Sequence, residues 1–281
     1  MCDVLGVSRS GFYEWRDRKP SQRDRDDAVI AEVLAAAWND SRRSYGEPRL
    51  APEINERLAA AGHRLRVGNR RCRRLMRDQG IVGQSRRRWR TGCTRRDPRA
   101  RPAPDRLNRQ FTAPGPDHTW VADITQIDTL TGPCWAAVVT DVWSRRIVGW
   151  SIADHHQADL VLEALDMAVT ARRPGPGVIF HTDQGSEFTS WAVHRFCRRH
   201  HIDQSMGSVG DCYDNAMAEA VFATIETELL WEHTFAGLDD ARSHLIDYIE
   251  GWYNTNRRHT SLGGISPIRF ETLHHMNYSA A

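Results

Sequence analysis

The chain has 281 residues, enough for one large domain and a smaller one. Its hydrophobic share of 40% excludes a mostly disordered protein, and no apolar run reaches the roughly 18–20 residues that span a bilayer. The net charge of +2 hides two unlike parts, because residues 1–110 hold 27 basic and 14 acidic side chains and the remainder holds 11 and 22. This asymmetry predicts a basic arm that contacts phosphates, so nucleic acid is the expected partner.

The N-terminus lacks the basic lead and the long apolar segment of a signal peptide, so export and a membrane partner are not expected. The six cysteines form no CxxC pair, which argues against a zinc site and against a disulfide framework. Both observations favour a reducing cytoplasmic compartment.

Residues 1–24 form a leader with part of a helix-turn-helix pattern. Ser8 is placed to cap a short helix that carries Phe12 and Trp15 on one side. The first helix of such a unit has no counterpart in the chain. A helix of this kind cannot bury its apolar face alone, so a partner or a longer precursor is expected.

Residues 25–82 have helical periodicity and form the predicted DNA-binding region. The last helix, from about Val67 to Asp78, turns Leu75 and Met76 toward a core. Its arginines can lie in a major groove or along a backbone, although a solvated basic surface is the plainer alternative. The candidate DNA contacts in this helix are Arg70, Arg71, Arg73, Arg74 and Arg77.

Residues 83–117 lack apolar periodicity and are predicted to be an extended basic linker. Trp89 lies among arginines, where it can stack on a base or anchor packing, and the sequence leaves both interpretations open. The linker adds Arg86, Arg87, Arg88 and Arg90 to the candidate DNA contacts.

The sequence pattern changes at residue 118, and residues 118–235 predict an α/β core. Three strands with short connections indicate an antiparallel meander, and the later strand at about Val178–Thr182 is apolar throughout, which is typical of burial on both faces. The order β-β-β-α-β-α-β-α predicts a mixed sheet with helices on both faces, in which Val178–Thr182 is the central strand. Residues 236–281 are predicted to hold a C-terminal helix, about Leu238–Tyr253, and a tail.

Three acidic residues in this core point to chemistry. Asp123 interrupts the first strand, Asp183 ends the apolar strand, and Glu219 lies in a helix away from its Met217–Val221–Ile225 face. Separate carboxylates that meet repel one another unless a cation lies between them. A hard divalent ion takes oxygen ligands and shares them with phosphate, so the set predicts metal-assisted phosphoryl transfer at Asp123, Asp183 and Glu219.

Each acid has an alternative interpretation. Asp183 alone fits a turn or cap residue, and Glu219 alone fits a solvated helix surface. Asp141 competes with Asp123 for the first position, although it can instead pair with Arg145 or Arg146. His181, near Asp183, is a candidate for supporting the metal ligands.

Four motifs together resemble the DDE transposases of the insertion sequence three family, in particular the second reading frame, a catalytic subunit with a retroviral integrase-like core. They are Trp120-Val-Ala-Asp-Ile-Thr125, Asp141-Val-Trp-Ser-Arg-Arg-Ile-Val-Gly-Trp150, His181-Thr-Asp-Gln-Gly-Ser-Glu-Phe188 and Gly210-Asp-Cys-Tyr-Asp-Asn-Ala-Met-Ala-Glu219. The ending Tyr253-Asn-Thr-Asn-Arg-Arg-His-Thr-Ser261 matches too. The resemblance covers nearly the whole chain.

The resemblance implies an RNase H-like fold, two Mg²⁺ or Mn²⁺ ions at Asp123, Asp183 and Glu219, and strand cleavage and transfer at the ends of an insertion sequence. Its implied partners are double-stranded DNA at the element ends, target DNA, and further copies of the chain, at least a dimer. A fusion or complex with an upstream helix-turn-helix product is also implied, in the bacterial cytoplasm or nucleoid.

One position departs from the family pattern. Seven residues after Glu219 the family usually carries Lys or Arg, whereas this chain has Glu226, which would repel terminal phosphates. The departure predicts weakened activity or compensation by Arg257 or Arg258, both candidate DNA contacts. It also supports an alternative function, a DNA-binding repressor or inhibitor of transposition with little catalysis. A nuclease of RNA–DNA hybrids shares the core but leaves the basic arm unexplained.

Overall fold

The computed structural model describes residues 2, 4–84, 103–106, 112–207 and 216–279. The chain divides into two compact units, Met1–Gln84 and Ser85–Ala281. The predicted contacts at Arg86, Arg87, Arg88 and Arg90, and the neighbouring Trp89, lie outside the described residues.

The first unit contains four described helices. They are α1 (Arg9–Arg16), α2 (Gln22–Asp40), α3 (Glu47–Ala60) and α4 (Asn69–Asp78). Ser8 caps α1 as predicted, since its hydroxyl accepts a hydrogen bond from the Gly11 N–H at 3.1 Å. No residue of α1 is buried, so among the described residues this helix does not join the apolar core of the first unit.

Helices α2, α3 and α4 pack around a small apolar core. Each contributes the stripe that its sequence periodicity predicts, and the stripes are almost fully buried. The largest contributions come from Ile30, Leu34, Leu50, Ile54 and Leu58, joined by Cys72, Leu75 and Met76 of α4. The arginine-rich face of α4 is thereby turned outward.

The second unit is built on a five-stranded sheet. Its strands are β1 (Thr119–Ile127), β2 (Cys134–Asp141), β3 (Ile147–Ala153), β4 (Ile179–Thr182) and β5 (Asp203–Met206), in the order β3-β2-β1-β4-β5. The first three are antiparallel neighbours, whereas β4 runs parallel to β1 and to β5. The mixed sheet is confirmed, but the middle strand is β1 and not β4, because β5 pairs on the outer side of β4.

Five described helices accompany this sheet, and both of its faces are covered. They are α5 (Ala158–Arg172), α6 (Trp191–Arg199), α7 (Ala216–Ile225), α8 (Leu238–Ile246) and α9 (Pro267–Ser279). Two of them continue into π-helical turns, α7 through Glu226–Leu230 and α8 through Asp247–Tyr253. The π turns and α9 are not part of the sequence-based prediction.

The two faces of β1 serve different layers. Trp120 and Ala122 belong to the main core under α5 and α6, whereas Val121 packs with Met217 and Ala218 of α7. The approach of α5 is very close, because a Cβ on Gly149 of β3 would collide with the Ala164 carbonyl oxygen. The meander, the parallel outer strands and the flanking helices form the expected RNase H-like fold, preceded by an all-helical unit. Within the described residues, no helix is both long and apolar enough to span a membrane.

Candidate active site

Asp123 lies in the middle strand, on the face that α7 covers. Side chains alternate along a strand, so Asp123 shares the face of Val121 and not that of Ala122. The carboxylate is half-buried, and its Oδ1 accepts a hydrogen bond from the Ile124 N–H at 2.8 Å.

Asp183 follows the last residue of β4 and comes level with Asp123. The parallel register pairs Trp120 with Phe180 and Val121 with His181. Continued for two residues, the same register sets Asp123 beside Asp183, on the same face of the sheet. Asp183 lies just past the end of β4, and its charge, after the larger effect of burial, raises the pKa of Asp123. The Asp183 Oδ1 accepts from the Gly185 N–H at 2.9 Å, which fixes the turn after the strand.

Glu219 lies in the first turn of α7, which packs against β1. Met217 and Ala218 are buried on Val121, two residues before Asp123 in the strand. Glu219 is exposed, whereas the Met217–Val221–Ile225 face is buried, as its spacing predicts. The helix therefore presents Glu219 beside the layer that holds the two aspartates.

The three carboxylates are close enough to interact electrostatically. Burial raises the pKa of Asp123 to about 7, with further contributions from the charges of Asp183, Glu219 and Glu226. Burial also raises the pKa of Glu219, and the charge of Asp183 adds to it. Several negative charges in a partly desolvated site favour a bound cation.

Glu226 is a fourth carboxylate near this group. It begins the π-helical turn after α7, and its Oε1 accepts a hydrogen bond from the Thr125 hydroxyl at 3.2 Å. Thr125 shares the sheet face of Asp123, and the Glu226 charge reaches that aspartate. The sequence marks Glu226 as a departure from the family pattern, while its contact with β1 becomes visible only in the fold.

The donor set fits a hard divalent cation by its chemistry, since it consists of carboxylate oxygens alone. In the described part of the chain, however, no three His, Cys, Asp or Glu side chains approach closely enough to enclose an ion. The predicted ligands are thus gathered on one face without forming a closed coordination shell.

Asp141 has a structural role and does not join the carboxylate group. It is fully buried, and its Oδ2 accepts from both the N–H and the hydroxyl of Ser144 at 2.8 Å. Its Oδ1 accepts from the Asp117 N–H at 2.9 Å. Asp141 meets Arg145 and Arg146 through backbone hydrogen bonds, and Arg146 forms its ion pair with Glu271, so the alternative of a side-chain ion pair is not the one observed. Burial raises the pKa of Asp141.

His181 forms a hydrogen bond within the sheet. The ring is buried on β4, and its Nδ1 lies 2.9 Å from the Ser205 hydroxyl of β5. This contact joins two parallel strands, and it gives His181 a role in the sheet.

Arg257 and Arg258, predicted to be DNA contacts, are buried at 2% and 7% exposure. Arg257 forms an ion pair with Glu228, and Arg258 donates from Nη1 to the Gly264 carbonyl at 2.8 Å. Both guanidiniums have intramolecular partners, so this placement conflicts with the prediction and with compensation for Glu226.

The five predicted arginines of α4 differ in availability. Arg71 and Arg74 both pair with Asp27, and Arg73 pairs with Glu47. Arg70 and Arg77 are exposed, and neither has an ion-pair partner among the residues that the structure describes.

Comparison with known proteins covers nearly all of the chain. Models for an integrase core domain match residues 113–212 and 200–267, and a model for an HTH-like domain matches residues 24–89. The Escherichia coli protein "Transposase InsF for insertion sequence IS3A" is 36% identical over 96% of this chain and 92% of its own. The Shigella sonnei "Insertion element IS600 uncharacterized 31 kDa protein" is 34% identical over 98% of both.

Similar solved structures are more distant. The HTLV-2 integrase catalytic core domain in complex with magnesium has a TM-score of 0.42 and 18% identity, over 56% of this chain and 97% of that one. The simian T-cell lymphotropic virus intasome has a TM-score of 0.48 and 13% identity, over 77% of this chain and 69% of that one.

Proposed function

Because the chain belongs to the IS3 family of transposases, we propose that Asp123, Asp183 and Glu219 are the three carboxylates of its DDE centre. The protein is a polynucleotidyl transferase that cleaves DNA and transfers strands. The observation that supports the residue assignment is the parallel register, which brings Asp123 level with Asp183. The packing of α7 on Val121 adds Glu219 to the same face.

The three carboxylates would hold a divalent cation, Mg²⁺ or Mn²⁺, with two ions as the expected number. When bound, such ions activate water or a 3′-OH and stabilise the leaving oxygen of an in-line displacement. The chain's own contribution is orientation: β1 fixes Asp123, the Gly185 N–H fixes Asp183, and the buried side of α7 fixes Glu219. No side chain has to act as a nucleophile.

The DNA partners are the ends of the element and the target, with at least two copies of the chain acting together. In the first unit, Arg70 and Arg77 are the first contacts we assign, since neither must leave an ion pair to reach a phosphate. Arg71, Arg73 and Arg74 would exchange Asp27 or Glu47 for phosphate. A repressor without catalysis is not favoured, because transposase relatives match the catalytic half as well as the basic half.

Incubation of the chain with DNA that carries the element ends, in Mg²⁺, tests this assignment. Glu219→Gln should lose cleaved and joined products while it keeps DNA binding. Glu163→Gln, which alters an exposed carboxylate on α5, is the matched control and should retain both. Chelation should abolish the wild-type products, and Mn²⁺ should restore them. Full activity of Glu219→Gln would refute the role of that residue.

A further inference from the structure

Helix α6 is a basic exception in an acidic part of the chain. Residues 111–281 hold 11 basic and 22 acidic side chains, yet α6 carries Arg195, Arg198 and Arg199 and no acidic residue. All three arginines are exposed, and none has an ion-pair partner among the described residues.

Most other arginines of this part of the chain are engaged within the fold. Arg146 and Arg172 pair with Glu271, Arg242 pairs with Asp239, and Arg257 pairs with Glu228. Arg258 is buried against a carbonyl. Positive charge that is free to meet an anion is therefore concentrated on α6.

The same face of α6 carries an exposed aromatic ring. Trp191 is 71% exposed, and the Arg195 guanidinium carbon lies 5.3 Å from its ring centroid. Trp191, Arg195 and Arg198 are spaced i, i+4, i+7, so they form one outward stripe. The opposite stripe, Val193 and Cys197, is buried in the core. An exposed tryptophan beside exposed guanidiniums is the combination of aromatic and cationic side chains that binds nucleic acid.

The stripe begins next to the proposed catalytic residues. Trp191 follows Asp183 by eight residues, a separation of at most about 28 Å even for an extended chain. The connecting loop is shorter than that, because it turns at Gly185, whose carbonyl accepts from the Thr189 N–H at 3.1 Å. Buried Phe188 anchors the loop, and Ser190 caps α6 at Val193. The N-terminal end of α6 therefore lies within one short loop of Asp183, at the end of β4.

We propose that the outward face of α6, formed by Trp191, Arg195, Arg198 and Arg199, is a docking surface for target DNA. This inference rests on the proposed strand-transfer function. Guanidinium contacts with phosphate are tolerant of sequence, and an aromatic ring can insert at a partly unstacked base step of a duplex, so both suit a target that varies. Reading of the element ends requires sequence discrimination, which an HTH-like unit supplies.

The test separates end cleavage from joining. The full-length chain is assembled on end-bearing DNA, and end cleavage is measured without a target. Joining to an unrelated duplex is then measured for wild type, Trp191→Ala, Trp191→Phe and the double variant Arg195→Ala/Arg198→Ala. Arg242→Ala, which removes a surface arginine elsewhere in the same unit, is the matched control.

We expect Trp191→Ala to join target roughly 5- to 100-fold less well, the range for loss of one aromatic contact with a base. The double variant, which removes two phosphate contacts, should lose joining to a similar extent. End cleavage should stay within twofold, and Trp191→Phe should retain most joining because it keeps an aromatic face. For the double variant, the slope of log binding constant against log salt for unrelated duplex should become shallower by roughly 0.9 per arginine.

Unchanged joining in both variants would overturn the proposal, as would equal losses of cleavage and joining in folded protein. If wild type neither cleaves nor joins, the catalytic assignment fails by itself. The salt slopes then still decide whether α6 binds DNA, because they require no chemistry.

Discussion

The Arg257 guanidinium donates two hydrogen bonds to the Glu228 carboxylate, from Nη2 to Oε1 at 2.7 Å and from Nε to Oε2 at 2.9 Å. The Tyr248 hydroxyl donates to the same carboxylate at 2.9 Å. Glu228 belongs to the π-helical turn that prolongs α7, so the pair joins the C-terminal segment to the helix that carries Glu219. Both side chains are buried, and the neighbouring carboxylate holds the pKa of Arg257 above its ordinary value despite the opposing effect of burial.

Removal of one partner of this pair should lower the unfolding free energy. Arg257→Leu leaves Glu228 buried without its cation, and we expect a loss of about 3–5 kcal/mol in unfolding free energy. Glu228→Leu together with Arg257→Leu should cost less than the sum of the two single changes. Urea unfolding followed by circular dichroism measures the coupling. The exposed pair Arg242–Asp239 is the control, with an expected cost below about 1 kcal/mol. Additive losses would mean that the pair contributes no coupling.

Protonation of Glu271 should make the folded state less stable at low pH. Burial opposes its charge, but hydrogen bonds and charge from Arg172, with help from Arg146, leave the pKa of Glu271 below its ordinary 4.5. A lowered folded pKa means that the stabilisation is complete above the unfolded value and is lost as pH falls through the folded value. Wild type should therefore exceed Glu271→Gln in melting temperature at pH 7, and the difference should shrink below about pH 4.5. A difference that does not vary with pH would contradict this expectation.

Glu226→Lys should increase strand transfer. After the larger effects of burial and Asp183, the Glu226 carboxylate adds to the raised pKa of Asp123. It also repels phosphate, whereas an ammonium at this position can hold it. A charge-assisted hydrogen bond of about 1.5–3 kcal/mol corresponds to an increase on the order of tenfold or more. Joined product per unit time is the measurement, with Glu232→Lys as a control for added positive charge on an exposed residue nearby. Equal gains from both changes would indicate general electrostatic attraction.

Substitutions of Asp141 and Asp123 should have different effects. The change at Asp141 should lower stability, and the change at Asp123 should abolish metal binding. Asp141→Ala leaves the Ser144 and Asp117 N–H groups without their acceptor, which should cost about 1–3 kcal/mol. The rise in melting temperature on addition of Mn²⁺ should persist in that variant and disappear in Asp123→Asn. Loss of the Mn²⁺ response in Asp141→Ala would make Asp141 a candidate ligand again.

Arg70→Ala and Arg77→Ala should each weaken binding of duplex DNA more than Arg73→Ala does. The first two guanidiniums have no described ion-pair partner, whereas Arg73 must first leave Glu47. Removal of one arginine that neutralises a phosphate should make the salt dependence of binding shallower by roughly 0.9 in log–log slope. Fluorescence anisotropy across salt concentrations measures this slope, and an equal effect of Arg73→Ala would contradict the ranking.

The sequence predicts those parts of the fold that depend on local pattern. Apolar runs identify β1 to β4, and Ser8 identifies the start of α1. β2 ends at Asp141, because the Asp141 carboxylate accepts a hydrogen bond from the Ser144 N–H and starts the turn. The π-helical turns escape prediction, because a periodicity of 3.6 residues presupposes regular hydrogen bonding.

The candidate site likewise contains residues that the sequence identifies and contacts that only the fold reveals. Asp123, Asp183 and Glu219 are identifiable because acids stand out at a strand or in a family motif. The partners of Arg257 are not, since Glu228 lies 29 residues away and their meeting depends on two π-helical turns. Charge alone also does not distinguish the paired Arg73 from the exposed Arg70.

The shared register of β1 and β4 sets which changes of length the enzyme tolerates. Insertion of one residue between Thr119 and Asp123 would turn that aspartate to the α5 side of the sheet, because successive side chains alternate. Insertions in the β1–β2 connection, residues 128–133, leave this alternation untouched. The β1–β2 hairpin can therefore change in length, while the count of residues leading to Asp123 is held constant by geometry.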